Sequence, residues 1–257
     1  AQDAKTKKGH IDIYESTDLK NWHENGYLDL GKDEMGYMIE CPNIVRVDGH
    51  VVVIFCPQGL DKKIAKYEDI YSDMYIIADD IDFENHKLIN PGKLHNLDKG
   101  FDVYATQAFN APDGKAYEIS WVGLPDTTYP TDDENWANCL SQVKELAIKN
   151  GKLIQRSVKA MNDLHTDEKE VSDQVITEKA GQQYELKLTI KANQKGKLHL
   201  AANTDLTGGL QINFDTENGK LILDRSKTDR QVSVDYGETR ETDLTKNSDL
   251  KLDIFVD

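Results

Sequence analysis

The chain has 257 residues, which is one large domain or two of ordinary size, and on closing it would bury roughly 73% of the surface its unfolded form exposes. Hydrophobic residues make up 38% and glycines number 17, placing the apolar share at the low edge of the globular range of about 45–50%, as in a soluble, loop-rich protein. With 31 Lys and Arg against 46 Asp and Glu, the formal charge is −15. That charge weighs against nucleic acid and anionic membranes as partners and otherwise serves solubility.

In chain order, residues 10–15, 51–55, 74–78, 117–122, 186–190, 197–201 and 221–223 read as short β-strands. Asp48-Gly49, Asp113-Gly114, Asn150-Gly151 and Asn218-Gly219 punctuate them with the dipeptides that favour hairpin turns. No apolar run approaches the ~18 residues of a membrane span, and no basic-then-apolar leader stands at the front.

Several features recur at an offset of 64 or 65 residues. Gly36-Tyr37 returns as Gly100-Phe101, and Asp48-Gly49 as Asp113-Gly114. The run Ser16-Thr17-Asp18-Leu19-Lys20-Asn21-Trp22 has a weaker echo in Asp80-Ile81-Asp82-Phe83-Glu84-Asn85-His86. Each period has room for about four strands, the make-up of a propeller blade, with an unrelated β-barrel as the alternative. After about residue 156 the repeat stops. A polar stretch over 162–179 leads into alternating strands that run to the end, which reads as a second all-β unit, most simply a sandwich. The boundary falls between 1–158 and 159–257. The chain starts with Ala, enters strand-like sequence at once and stops in a strand-like run, so it reads as a piece of something longer.

Cys41, Cys56 and Cys139 are odd in number and far apart, and the seven His show no ligand spacing. No disulfide framework, metal or cofactor is inferred, and reduced thiols of a cytoplasmic protein are expected.

Candidate chemistry begins in Gly36-Tyr37-Met38-Ile39-Glu40-Cys41-Pro42, where one carboxylate sits between apolar neighbours. Pointed into a pocket, a carboxylate so placed loses hydration and holds its proton more tightly, as a general acid must; strand alternation could equally turn it to solvent. One period on comes Gly100-Phe101-Asp102-Val103-Tyr104-Ala105-Thr106-Gln107. If both strands are innermost in their blades, Asp102 and Glu40 project toward the same axial funnel. Two carboxylates converging there suit sugar hydroxyls and glycoside chemistry. Trp121, in Ile119-Ser120-Trp121-Val122-Gly123, is either a face for a sugar to stack on or part of the core.

These segments resemble glycoside hydrolase family 32, the invertases, sucrose-6-phosphate hydrolases and levanases. Gly36 to Pro42 resembles the family's Glu-Cys motif, and Cys56-Pro57-Gln58-Gly59 its Ser-Pro-Gln-Gly segment. Gly100 to Phe109 is similar to its Phe-Asp-Phe-Tyr-Ala-x-Gln-x-Phe run. Trp121 to Asp126, with Tyr129-Pro130-Thr131 and Trp136, resembles the segment that follows, and Leu223-Asp224-Arg225-Ser226 a motif of the C-terminal sandwich. The resemblance runs in order along almost the whole chain.

It implies an all-β fold: the later blades of a five-bladed propeller over 1–158, then a β-sandwich over 159–257, incomplete at its C-terminal end. It also implies retaining hydrolysis of terminal β-D-fructofuranosides, with sucrose 6-phosphate or sucrose as the small-molecule substrate and levan or inulin as alternatives. Glu40 matches the general acid/base, Asp102 a carboxylate that binds sugar hydroxyls, and Trp121 an aromatic of the pocket. The family's nucleophilic Asp lies in Asn-Asp-Pro and a second, transition-state-stabilising Asp in Arg-Asp-Pro; neither tripeptide occurs here. Both are therefore expected before Ala1, and the chain alone is expected to be inactive. A propeller and sandwich that only bind sugar or another protein are the second reading. Smaller departures are Ile39 for Trp, Asn43 for Asp and Val143 for Pro. Missing blades would leave an open sheet edge, through which homo-oligomers are expected.

Overall fold

The computed structural model describes residues 1–171, 183–202, 205, 207–232 and 234–257, so that 172–179 of the polar stretch lie outside the described residues. Regular structure among them is β-strand with three short 3-10 turns. The chain divides into two compact units, Ala1–Val158 and Lys159–Asp257.

In the first unit, β1 (Asp12–Glu15) and β2 (His23–Tyr27) form an antiparallel pair. A four-stranded antiparallel sheet follows, made by β3 (Met38–Val47), β4 (His50–Gln58), β5 (Met74–Ala78) and, beyond the hairpin β6 (Asp80–Asp82) and β7 (Lys87–Ile89), β8 (His95–Asn96). The second sheet takes β9 (Val103–Asn110), β10 (Ala116–Val122), β12 (Lys144–Lys149) and β13 (Lys152–Ser157), with β11 (Cys139–Leu140) beside the end of β10. The two sheets repeat one another, as the 64-residue offset predicts.

Strand β4 explains why they stack. Seven consecutive residues, Val51 to Pro57, are buried, so both faces of the strand are covered. Its odd-numbered side chains Val51, Val53 and Phe55 join Ile11, Leu28, Ile39, Met74 and Ile76. Its even-numbered Val52 and Ile54 join Val45, Tyr75, Leu97, Ala116, Leu146 and Leu153, which bring in the neighbouring sheet. Each such aliphatic side chain contributes about 1.5–3 kcal/mol on full burial. The alternation of a single strand thus binds two sheets face to face.

The turns follow their dipeptides only in part. Asp48-Gly49 and Asn150-Gly151 have φ of 48° and 82°, and 53° and 70°, the paired left-handed conformations of a two-residue type I′ hairpin. At Asp113-Gly114 and Asn218-Gly219 only the glycine is left-handed. There the paired strands stop earlier, at Asn110↔Ala116 and Asp215↔Lys220, and longer loops join them.

In the second unit β14 (Tyr184–Ile190) pairs antiparallel with β19 (Leu250–Val256). A four-stranded meander runs through β15 (Lys195–Leu200), β16 (Leu210–Asp215), β17 (Lys220–Asp224) and β18 (Thr239–Asp243).

One buried group of the second sheet gives the first unit a pH dependence. Glu118 on β10 is 1% exposed. Its Oε1 lies 3.4 Å from Lys144 Nζ, which donates to Gln155 Oε1 at 3.0 Å. Burial outweighs the ion pair and pushes Glu118 up to about 7. A raised carboxylate pKa means that the folded state binds the proton more tightly, so its stability contribution is full below the unfolded pKa and is lost as pH rises through about 7. Replacing Glu118 by Gln is expected to flatten the pH dependence of stability between about pH 5 and 7 by up to ~1.4 kcal/mol per pH unit. Urea unfolding at three pH values checks it; parallel curves for the two proteins would contradict the assignment.

Candidate active site

Glu40 lies on β3, half-buried, where the strand leaves regular pairing. Its Oε2 accepts the Tyr104 hydroxyl at 2.9 Å and Gln58 Nε2 at 3.0 Å. Both bonds fall on one oxygen, Oε2, which fixes that edge of the carboxylate. Gln58 ends β4 directly opposite Met38. Its carbonyl accepts the Tyr37 amide at 2.9 Å, and a Cβ on Gly36, at φ +74°, would stand 2.1 Å from the same oxygen. Only glycine permits this approach, which seats the Gln58 end of the clamp.

Tyr104 is one period after Glu40, on β9, and both residues open a bulge. Between Glu40 and Asn43, and again between Tyr104 and Gln107, the strand has one residue more than its partner. The extra turn is taken by Cys41 at φ 46° and by Ala105 at φ 52°, left-handed conformations that cost a non-glycine residue roughly 1–3 kcal/mol each. Bulges re-aim side chains; here they turn Glu40 and Tyr104 toward each other across neighbouring sheets.

A bulge also takes backbone groups out of the ladder, and several of them here find side-chain partners. The Ala105 amide donates to Cys56 Sγ at 3.3 Å, and the Thr106 amide to Asp73 Oδ2 at 3.1 Å. Thr106 Oγ1 lies 2.5 Å from Asp73 Oδ2 and 2.7 Å from Ser120 Oγ. Burial pushes the Cys56 thiol pKa up, and the neighbouring Asp73 carboxylate adds to the rise. Asp73, 4% exposed, is raised by burial to about 6, with the bonds from Thr106 opposing the rise. In β3 the bulge contains Pro42, which has no amide to satisfy. Asn43 Nδ2 donates to Cys41 O at 2.8 Å and to Thr106 O at 2.7 Å, while its Oδ1 accepts the Ala108 amide at 3.0 Å. A carboxylate could not donate to those two carbonyls, which is the physical content of Asn43 in place of Asp.

Asp102 is buried and left-handed at φ 62°, just before β9. Its carbonyl accepts the Gly123 amide at 2.6 Å, tying the start of β9 to the end of β10. The residue one full period from Glu40 is Tyr104, not Asp102, so the two carboxylates do not occupy equivalent strand positions. Trp121 pairs with Tyr104 across the ladder, and their rings meet edge-on with centroids 6.3 Å apart. Half-buried against Cys56, Tyr104 and Leu124, it belongs to a small core and lies one ring away from the Glu40 clamp. Sequence reasoning passed over Tyr104, Gln58, Asp73 and Thr106 as functional residues, although adding the period to Glu40 leads straight to Tyr104.

Four-stranded antiparallel sheets that repeat along the chain and stack through a shared core are the make-up of successive β-propeller blades. Residues 1–157 match the glycosyl hydrolases family 32 N-terminal domain, and residues 150–257 the glycosyl hydrolases family 32 C terminal. The chain belongs to glycoside hydrolase family 32, whose known structures combine a β-propeller with a β-sandwich. It is 41% identical over 255 residues to a sucrose-6-phosphate hydrolase of Pediococcus pentosaceus, covering 98% of this chain and 51% of that protein. Among solved structures, sucrose-6-phosphate hydrolase from Lactobacillus gasseri superposes with a TM-score of 0.96 at 61% identity, over 100% of this chain and 53% of that one. An exo-inulinase from Aspergillus awamori shares the fold at 20% identity, with a TM-score of 0.73 over 98% of this chain and 54% of that one. The chain spans about half the length of the curated relatives it matches.

The Gly36 approach gives a direct test of the clamp's seat. Gly36→Ala combines a left-handed φ with a collision against backbone and is expected to destabilise the first unit by about 1–3 kcal/mol. A urea midpoint unchanged from wild type would show that the close approach of Gly36 to the Gln58 carbonyl does not hold the clamp.

Proposed function

We propose that this chain is part of a retaining glycosidase that hydrolyses terminal β-D-fructofuranosides in the cytoplasm, with sucrose 6-phosphate or sucrose as substrate. The observation that carries this reading is the clamped Glu40, whose Oε2 is held by Tyr104 and Gln58. Family membership and relatives that are sucrose-6-phosphate hydrolases support the substrate, and three free cysteines accord with the compartment.

In this reading Glu40 is the general acid/base. It protonates the leaving oxygen while a second carboxylate, about 5–5.5 Å from it, attacks the anomeric carbon; Glu40 then takes a proton from the water that releases fructose. Asp102 receives sugar hydroxyls and Trp121 lines the pocket. The attacking carboxylate is the Asp of an Asn-Asp-Pro segment, a tripeptide absent from these 257 residues. The 257 residues by themselves therefore lack the covalent route and do not turn over.

Glu40→Gln in the complete polypeptide that carries this chain is expected to lower kcat on sucrose 6-phosphate by about 10²–10⁴-fold. Steady-state kinetics on sucrose 6-phosphate, sucrose and inulin test both the role and the substrate. Unchanged kcat would remove Glu40 from the mechanism, and tight sugar binding without turnover in the unmutated polypeptide would make the chain a binding module.

A further inference from the structure

Asp73 lies in none of the segments that carry the family resemblance, yet the acid/base geometry rests on it. The chain of contacts is short. Glu40 Oε2 is held by the Tyr104 hydroxyl, and Tyr104 is the last residue before the β9 bulge. The bulge takes the amides of Ala105 and Thr106 out of regular pairing, and buried amides need acceptors. Thr106, fully buried, finds both its acceptors on one atom: its amide and its hydroxyl each bond Asp73 Oδ2. The Ala105 amide finds Cys56 Sγ, a thiol that sits beside the same carboxylate. The Thr106 amide is thus anchored directly to one buried carboxylate, and the Ala105 amide to the thiol beside it. Asp73 is itself fixed from behind, since its carbonyl accepts the Leu97 amide at 2.8 Å. Ala105 sits at φ 52°, a conformation that persists only where its surroundings over-determine it.

We propose that Asp73 is a positioning residue for Glu40, which pins the β9 bulge so that the Tyr104 hydroxyl meets the acid/base carboxylate. The proposal rests on Glu40 acting as the acid, as argued above. Without the anchor, the bulge relaxes into regular pairing, Tyr104 rotates away, and Glu40 keeps only Gln58. The loss then falls on proton delivery to the leaving group and spares the binding of sugar.

That distinction gives a test which a merely structural buried acid would not pass. In the complete polypeptide, kcat/KM is measured for sucrose 6-phosphate, whose leaving group needs a proton, and for a 4-nitrophenyl β-D-fructofuranoside, whose leaving group does not. Asp73→Ala is expected to lower kcat/KM on sucrose 6-phosphate by at least about tenfold and on the aryl fructoside by less than about threefold. Asp73→Asn, which keeps an acceptor oxygen for Thr106, is expected to restore most of the difference. Equal losses on both substrates would overturn the proposal. Glu40→Gln serves as the reference: if it shows no leaving-group dependence the acid/base reading itself fails, whereas dependence there without it in the Asp73 variants removes only the positioning role. Where Asp73→Ala does not fold, a crystal structure of Asp73→Ser, whose shorter side chain withdraws the acceptor from the Thr106 amide, decides. A separation of Tyr104 Oη from Glu40 Oε2 that stays at 2.9 Å refutes the anchor, and one beyond hydrogen-bond reach supports it.

Discussion

A backbone amide withdrawn from a β-ladder and buried must find another acceptor or cost the fold about 1–3 kcal/mol. In this protein that requirement organises the region around Glu40. Two strands of adjacent sheets each carry a bulge at the same point of the repeat, with a left-handed Cys41 in one and a left-handed Ala105 in the other. The freed groups are taken up by Asn43, Cys56 and Asp73, side chains that come from three different strands or their edges. Proline at position 42 removes one donor that would otherwise need a partner. The outcome is a carboxylate whose orientation depends on groups drawn from two sheets.

Such an arrangement needs a rigid support, and β4 supplies it. Val51 to Ile54 pack alternately into two clusters, so the strand next to β3 cannot slide by one residue without moving every apolar side chain to the wrong face. Cys56 and Gln58 lie at the end of this fixed strand. Gln58, which touches Glu40, and Cys56, which takes the Ala105 amide, are therefore continuations of the core strand. The Glu118, Lys144 and Gln155 chain ties β10, β12 and β13 together and reaches the carbonyl of Leu97, the residue whose amide bonds Asp73 O; Gln155 Nε2 bonds that Leu97 carbonyl at 2.6 Å.

Much of this was legible from residues alone. The period of 64 foretold the repeated hairpin, Asp48-Gly49 and Asn150-Gly151 foretold two-residue turns, and β5 spans the residues read as a strand at 74–78. The segments that resemble the family contain Glu40, Gln58, Asp102, Tyr104 and Trp121. Two things were hidden. The first was the partner of Glu40: aligning carboxylate with carboxylate drew Asp102 forward, whereas strand equivalence, set by the bulges, puts Tyr104 there. The second was the set of acceptors. Asp73 is 33 residues from Thr106, and Cys56 is 49 from Ala105. No local pattern announces a side chain whose task is to accept an amide from another blade. The loops at Asp113-Gly114 and Asn218-Gly219 escaped for a simpler reason, since a dipeptide signals where the chain reverses and not how far its strands remain paired.

Asn43 has a further consequence for the modularity of the repeat. Propeller blades invite treatment as interchangeable cassettes, each a small sheet that could be duplicated, grafted or recombined between relatives. Here one amide group bonds a carbonyl of its own blade and a carbonyl of the next, and its oxygen receives an amide from that next blade as well. Arg46 and Asn110 repeat the stitch a few residues along, amide to side chain at 2.9 Å and side chain to carbonyl at 2.7 Å. Recombination at the blade boundary would separate residues that must change together, so the natural unit of exchange in this protein is the pair of blades.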